Sequence, residues 1–342
     1  MKKRIIVALL CAAMILTALA GCGSRAGEKD GDSGESAEVS AQKKAAQVSD
    51  TGYPITLDNY GRKITVQSAP KKVLALGPNC AELLVALGLE DSIVGTSLRN
   101  HSRGPLPEYA KALEAIPEIN HSSATREAVI SSGADFVYGI DWEFGGDGLD
   151  VDELEDYGMT TYINSATTLE EQYQEILDLG NVFGIEDRTA EYVKEQEERI
   201  QAVQDKVKNE KPLKVLVYDS GSDGVFTCSG TNFESLLIEL AGGENLFQDV
   251  EDKAWVTVSY EEALSREPDI ILVHDYDSPS VEEKIEEIKA NDVLSKLSCV
   301  KNERFATIDL ESVLPGDRLA YTVEKLSEAF YPAAGENTNK LK

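Results

Sequence analysis

Apolar positions along the chain switch period repeatedly between two and about 3.6. Ile55–Asp58 and Lys63–Val66 alternate on either side of Asn59-Tyr60-Gly61-Arg62, which predicts a hairpin. Val73–Leu76 is an unbroken apolar run of the buried-strand type, followed by the turn Gly77-Pro78. Asn79 is placed to cap a helix over Cys80–Leu87, with Glu82 as capping-box partner and Gly88 as the stop. Next come a strand at Ile93–Thr96, a polar loop over Ser97–Pro107 and a helix over Leu106–Glu114. A strand at Phe136–Gly139, a loop at Asp141–Phe144 and a short helix ending at Gly158 follow. The strand Thr160–Ile163 then leads to a helix that Thr168 caps and that reaches Phe183. Further on, Val215–Tyr218, Ile270–Val273 and Phe305–Ile308 read as strands. Between them lie a Gly/Ser-rich loop (Asp219–Gly230), a helix (Phe233–Leu240) stopped at Gly242-Gly243, and the loop His274–Asp277. Pro315–Arg318 opens a last helix that ends near Phe330. Strands alternating with helices predict an α/β chain whose mainly parallel sheets carry helices on both faces.

The longest helical signal is Glu186–Asn209, with neither Gly nor Pro until Pro212. Ala190, Val193, Ile200, Val203 and Val207 draw one narrow apolar stripe, and Glu195 precedes Arg199 in the order that favours a helical ion pair. The rod is roughly 35 Å long at 1.5 Å per residue. The segments on its two sides resemble each other. Thr125-Arg126-Glu127 and Ser259-Tyr260-Glu261 each begin a short helix with a hydroxyl cap and a Glu two positions on. Each unit then passes through Asp135 or Asp269 into an apolar strand. Two such units flanking one helix predict a duplicated architecture. The lobes would be residues 53–185 and 211–335, with residues 186–210 as the strut and 336–342 as a tail. In open sheets of this kind ligands bind beyond the carboxyl ends of the strands, so two facing sheets would enclose one cleft.

Composition and charge narrow the setting. A formal net charge of −28 argues against nucleic acid and anionic lipid headgroups as partners of the folded part. Lys2, Lys3 and Arg4 precede an apolar run over Ile5–Leu19 that ends Leu19-Ala20-Gly21-Cys22. This predicts a secretory signal over residues 1–21. The ending resembles a bacterial lipobox, which makes Cys22 the acylated anchor on the extracytoplasmic face of a cell membrane. Residues 22–52 are almost without apolar side chains and read as a disordered tether. Cys80, Cys228 and Cys299 remain; buried thiols are the simplest reading, with a Cys80–Cys228 bridge left open.

The chain from Ile55 to Pro332 resembles the bacterial solute-binding lipoproteins of importers for iron–siderophore complexes, haem and cobalamin. The resemblance rests on Val73–Leu87 with its Gly-Pro-Asn turn, on Ser229-Gly230 and Ala241-Gly242-Gly243-Glu244-Asn245-Leu246-Phe247, and on Trp255 before Val258-Ser259-Tyr260-Glu261. It implies two Rossmann-like lobes joined by one rigid helix, a ligand cleft between them, and little hinge motion. It further implies that Glu127 and Glu261 dock onto Arg residues of a homodimeric ABC permease served by an ATPase. The physical counterpart is that a symmetric permease offers one pocket twice, and the repeat presents one carboxylate twice.

Candidate ligand contacts on strand-end loops are Asn79, Arg99, His101, Arg103, Trp142, Phe226, Trp255, His274, Tyr276 and Arg318. The Arg residues suit anionic oxygens and the rings suit aromatic or macrocyclic surfaces. A ferric siderophore is the expected ligand, with haem or cobalamin as alternatives and no resident cofactor. Asp141, Glu143, Asp275 and Asp277 in the same loops favour a neutral or cationic chelate, such as a ferric hydroxamate or a corrinoid. Only three His in the chain make a bare zinc or manganese receptor a weak reading. An enzyme is weaker still: Ser220-Gly221-Ser222-Asp223-Gly224 has the wrong spacing for a nucleophile elbow, and Gly145-Gly146-Asp147-Gly148 lacks the dinucleotide fingerprint. A surface adhesin is a third class. The expected state is a monomer, held to the membrane by its lipid alone.

Overall fold

A computed structural model describes residues 52–146 and 148–332. Cys22, the signal segment, the tether and the tail at 336–342 lie outside the described residues. The hairpin forms as read, from β1 (Ile55–Asn59) and β2 (Arg62–Val66). The first lobe continues with β3 (Val73–Leu76), α1 (Pro78–Ala86), β4 (Ile93–Ser97), α2 (Ala110–Glu114), α3 (Arg126–Ser132) and β5 (Phe136–Ile140). It closes with α4 (Val151–Asp156), β6 (Thr160–Asn164) and α5 (Leu169–Phe183). The strut α6 (Glu186–Val207) follows. The second lobe holds β7 (Leu213–Tyr218), β8 (Ser220–Gly221), β9 (Val225–Cys228), α7 (Phe233–Leu240), β10 (Gly243–Asn245) and β11 (Trp255–Val258). It ends with α8 (Tyr260–Arg266), β12 (Ile270–Asp275), α9 (Val281–Ala290), α10 (Ser298–Lys301), β13 (Phe305–Asp309) and α11 (Leu319–Phe330).

The lobes share one topology. Strands run β4-β3-β5-β6 in the first sheet and β10-β7-β12-β13 in the second, all neighbours parallel. In both, the second strand in sequence lies on one side of the first, and the third and fourth lie on the other. The duplicated unit is also duplicated in detail. Thr125 Oγ1 accepts the Ala128 N–H and Ser259 Oγ accepts the Glu262 N–H, so both caps satisfy otherwise unpaired first-turn donors.

Helix α6 packs its two halves into different cores. Val193 joins the first lobe, whereas Ile200, Val203 and Val207 join the second. The predicted stripe needs one correction: Ala190 is exposed and Thr189 takes the buried position, because Thr189 faces Gly180 of α5. The Glu195–Arg199 pair is replaced by a tertiary one. Arg199 makes a two-pronged contact with Glu324 of α11, at 2.9 and 2.8 Å. The helix ends at Val207, short of Asn209.

Other differences have local causes. Asn79 is not a cap: Gly77 holds the N-cap position, Pro78 is pre-set for the first turn, and Asn79 points inward. Glu82 is fully buried and makes no capping box. The Asp219–Gly230 segment is not all loop, since β8, β9 and β11 form an antiparallel sheet in the order β11-β9-β8. The short strand β10, beyond the Gly242 stop, was also hidden by glycines. The helix read from Leu106 begins only at Ala110. Cys80, Cys228 and Cys299 are all free and buried, so no Cys80–Cys228 bridge forms.

Candidate functional site

Leu314, downstream of β13, packs in the first lobe's core, which brings the carboxyl ends of both parallel sheets toward one cleft. A cavity of about 320 Å3 there is lined by His101, Ser123 and Trp142 from the first lobe. Asp219, Phe226, Trp255, Tyr276 and Leu310 line it from the second. The volume lies at the lower end of the range usual for small-molecule sites. Most of these residues follow directly from the strand-end rule. His101 comes after β4, Trp142 after β5, Asp219 after β7, Tyr276 after β12 and Leu310 after β13. Phe226 and Trp255 enter differently, from the antiparallel sheet. Thr257 pairs with Phe226 and Cys228 with Trp255, so the two rings are diagonal neighbours on adjacent strands and stack at 5.5 Å and 21°. Across the cleft His101 and Trp142 are 6.0 Å apart at 39°.

Beneath the second lobe's wall lies a buried ionic chain. His274 Nδ1 is 3.0 Å from Asp219 Oδ1 and its Nε2 is 2.9 Å from Glu234 Oε1. Burial works against a charged imidazole, but the Glu234 and Asp219 carboxylates prevail and push its pKa up to about 9. The imidazolium and its hydrogen bond hold the Asp219 carboxyl below the usual range, against the opposing effect of burial. Tyr276 donates its hydroxyl to Asp219 Oδ2 at 3.1 Å. Lys284 lies 3.6 Å from the Tyr276 ring centre and donates to the His274 carbonyl, and burial lowers its pKa to about 8. Burial also lowers the pKa of His101, against the opposing pull of Asp219 and Glu143. The cleft therefore offers rings, one ionised carboxylate and no Arg or Lys among its described lining residues.

The ten candidate contacts separate accordingly. His101, Trp142, Phe226, Trp255 and Tyr276 meet at the cavity. Arg99 is exposed, with Glu118 3.6 Å away. Arg103 lies at the rim and donates across the lobes to Asp275 at 2.7 Å. Three candidates are buried and lie outside the cavity lining. Asn79 is buried, donating to Asn164 Oδ1 at 2.9 Å and to the Pro315 carbonyl at 2.8 Å. His274 belongs to β12 rather than a loop and is wholly buried. Arg318 is 3% exposed and enclosed by carboxylates. The sequence reading missed Ser123, Asp219 and Leu310; the strand-end rule alone would have found the last two. Glu127 and Glu261 are exposed at equivalent first-turn positions of α3 and α8. Among the described residues no group of three His, Cys, Asp or Glu is arranged to hold a metal ion.

The sequence pattern of periplasmic binding proteins matches residues 73–311. The chain belongs to the periplasmic binding protein family. It is 27% identical over 340 residues to YvrC of Bacillus subtilis (strain 168), an uncharacterized ABC transporter substrate-binding lipoprotein, covering 97% of this chain and 98% of that one. A Vitamin B12-binding protein of Yersinia pestis (strain Pestoides F) is 24% identical over 205 residues, 60% of this chain and 70% of its own. A solved periplasmic binding protein from Veillonella parvula superposes with a TM-score of 0.72 at 26% identity, covering 80% of this chain and 96% of its own. A protein of an ABC-type Fe3+-hydroxamate transport system from Saccharomonospora viridis shares the fold, with a TM-score of 0.68 at 24% identity, covering 81% and 99%. As a periplasmic binding protein the chain is the substrate-binding component of an ABC importer, not an enzyme. No helix among the described residues is long and apolar enough to cross a membrane.

Proposed function

We propose that this binding protein is an extracytoplasmic receptor, anchored through an acylated Cys22, that delivers a neutral or positively charged ferric siderophore of the hydroxamate type to its permease. One observation carries the reading. The cleft is framed by His101, Trp142, Phe226, Trp255 and Tyr276 and carries the ionised Asp219, with no Arg or Lys among its described lining residues. Rings cover apolar and flat faces of a chelate at low entropic cost. A strongly anionic tris-catecholate would lose its hydration and gain no cation in return. A corrinoid is the second reading, supported by the Yersinia relative and by the flat face of the Phe226–Trp255 pair.

Glu127 and Glu261 are proposed as the two docking carboxylates, one per lobe, for a homodimeric permease coupled to its ATPase. The protein would act as a monomer, held to the membrane by lipid alone. Trp142 and Trp255 are the chain's two Trp residues, and both line the cleft, so intrinsic fluorescence reports on it. Titration with ferric hydroxamate, ferric catecholate, haem and cobalamin should give saturable quenching with the hydroxamate and none with the catecholate. Tighter binding of the catecholate would sink the charge argument. Saturation by cobalamin alone would replace the siderophore with a corrinoid.

A further inference from the structure

Arg318 stands at the start of α11 in the second lobe, and its guanidinium bonds to both lobes. Its Nε donates to Glu82 Oε2 on α1 at 2.7 Å, and Nη2 donates to the Gly104 carbonyl at 2.9 Å. Nη2 also lies 3.1 Å from Glu311 Oε1, while Nη1 donates to Ser312 Oγ at 3.1 Å. The carboxyl partners reach on to the same short segment of the first lobe. Glu82 Oε1 accepts the Leu106 N–H at 2.8 Å, and Glu311 accepts the Ser102 hydroxyl. Gly104 N–H in turn donates to Ser102 Oγ at 2.9 Å. Residues 102–106 are thus fastened at both ends and in the middle by one buried ionic group that spans the lobes.

That segment adjoins the cleft. His101, immediately before it, lines the cavity; Arg103, within it, reaches Asp275 beside Tyr276. On the other side Leu310, next to Glu311, lines the cavity as well. Burial and the neighbouring Glu82 hold the Glu311 carboxyl well above the usual carboxylate range. A buried group of this kind returns little net folding energy, because desolvation offsets its attraction, whereas its fixed geometry imposes a register. The fork of a guanidinium is suited to that task, since it points its donors in set directions.

We propose that Arg318 is a positioning residue of the solute cleft: from the second lobe it holds the Ser102–Leu106 segment, and so fixes His101 and Arg103 relative to the opposite wall before solute arrives. Presetting a wall removes an ordering cost from binding. Arg318→Lys keeps the charge and loses the fork. Hydrogen exchange of the Gly104 and Leu106 amides should then accelerate about tenfold or more relative to core amides of β3 and β5. The affinity for ferric desferrioxamine B, read by Trp quenching, should fall about tenfold. Ser102→Ala, at a half-buried site, should shift both in the same direction by less. A purely structural role predicts a lower melting temperature with local exchange and affinity unchanged, and that result overturns the proposal. If Arg318→Lys does not fold, unchanged exchange of the Leu106 amide in Ser102→Ala overturns it instead, since the Gly104 amide loses its own acceptor in that variant. The exchange measurement needs no solute. Failure of the chelate to bind the wild type would refute the siderophore reading and leave exchange to decide the clamp.

Discussion

Glu175 accepts the hydroxyl of Tyr138 and the side-chain amide of Asn164 inside the first lobe, where burial pushes its pKa up to about 7. A folded pKa above the ordinary 4.5 means that stability is full below pH 4.5 and declines as pH rises through 7. Glu175→Gln keeps the acceptor and removes the titration. Between pH 5 and 8 the variant should gain about 1–3 kcal/mol relative to the wild type, measured by urea unfolding. Parallel stability profiles would contradict this. Asp317, raised to about 7 chiefly by burial, should leave a residual slope of the same sign in the variant. At this scale the sequence was least informative. His274 and Arg318 have the composition of exposed loop cations, and only their burial against Asp219, Glu234, Glu82 and Glu311 shows otherwise.

The helices were the most legible elements because their ends carry chemistry. Thr168 with Glu171 makes the capping box of α5, and Thr125 and Ser259 cap α3 and α8 as read. Close approach between helices was not legible. A Cβ on Gly180 would stand 2.1 Å from Thr189 Oγ1, so α5 and α6 cross at a contact that admits no side chain. Gly180→Ala should therefore lose about 1–3 kcal/mol despite its better helix propensity. Thr189→Ala in the same chain should restore part of the loss in urea unfolding. A stabilised single variant would show that the helices can separate at little cost. β8 is only Ser220-Gly221, and the β-type run of β9, Val225–Cys228, is short and follows Ser222-Asp223-Gly224, so both read as loop in the sequence. β8 pairs with its neighbour β9, and β9 pairs in turn with β11, which is distant in sequence, so no local window shows the sheet.

Over the whole molecule, the repeated strand order and the repeated cap make the two lobes near-equivalent presenters of one acidic side chain each. If Glu127 and Glu261 are the docking pair, truncating either removes a charge-assisted contact with a typical cost of about 2–5 kcal/mol. Glu127→Ala and Glu261→Ala should each lower solute uptake by cells more than about tenfold, while the quenching midpoint of the purified protein stays put. A fall in uptake matched by a fall in solute affinity would place these residues elsewhere in the mechanism. The lobes meet through α6, through the Arg103–Asp275 pair and through the segment from Leu310 to Arg318. In that segment Leu314 joins the first lobe's core and the Pro315 carbonyl accepts from Asn79 and Asn164.

The sequence by itself determined the α/β alternation, the doubled plan, the strut and the ring residues that follow strand ends. Each of these is written in periodicity, caps and position, which are local. Only the tertiary structure decided which polar side chains face solute and which are buried partners of one another. Asn79, Glu82, His274 and Arg318 each owe their role in part to a group about forty to more than two hundred positions away, in the other lobe or across a sheet. Burial and electrostatic pairing depend on those distant neighbours, and no local window of sequence contains them.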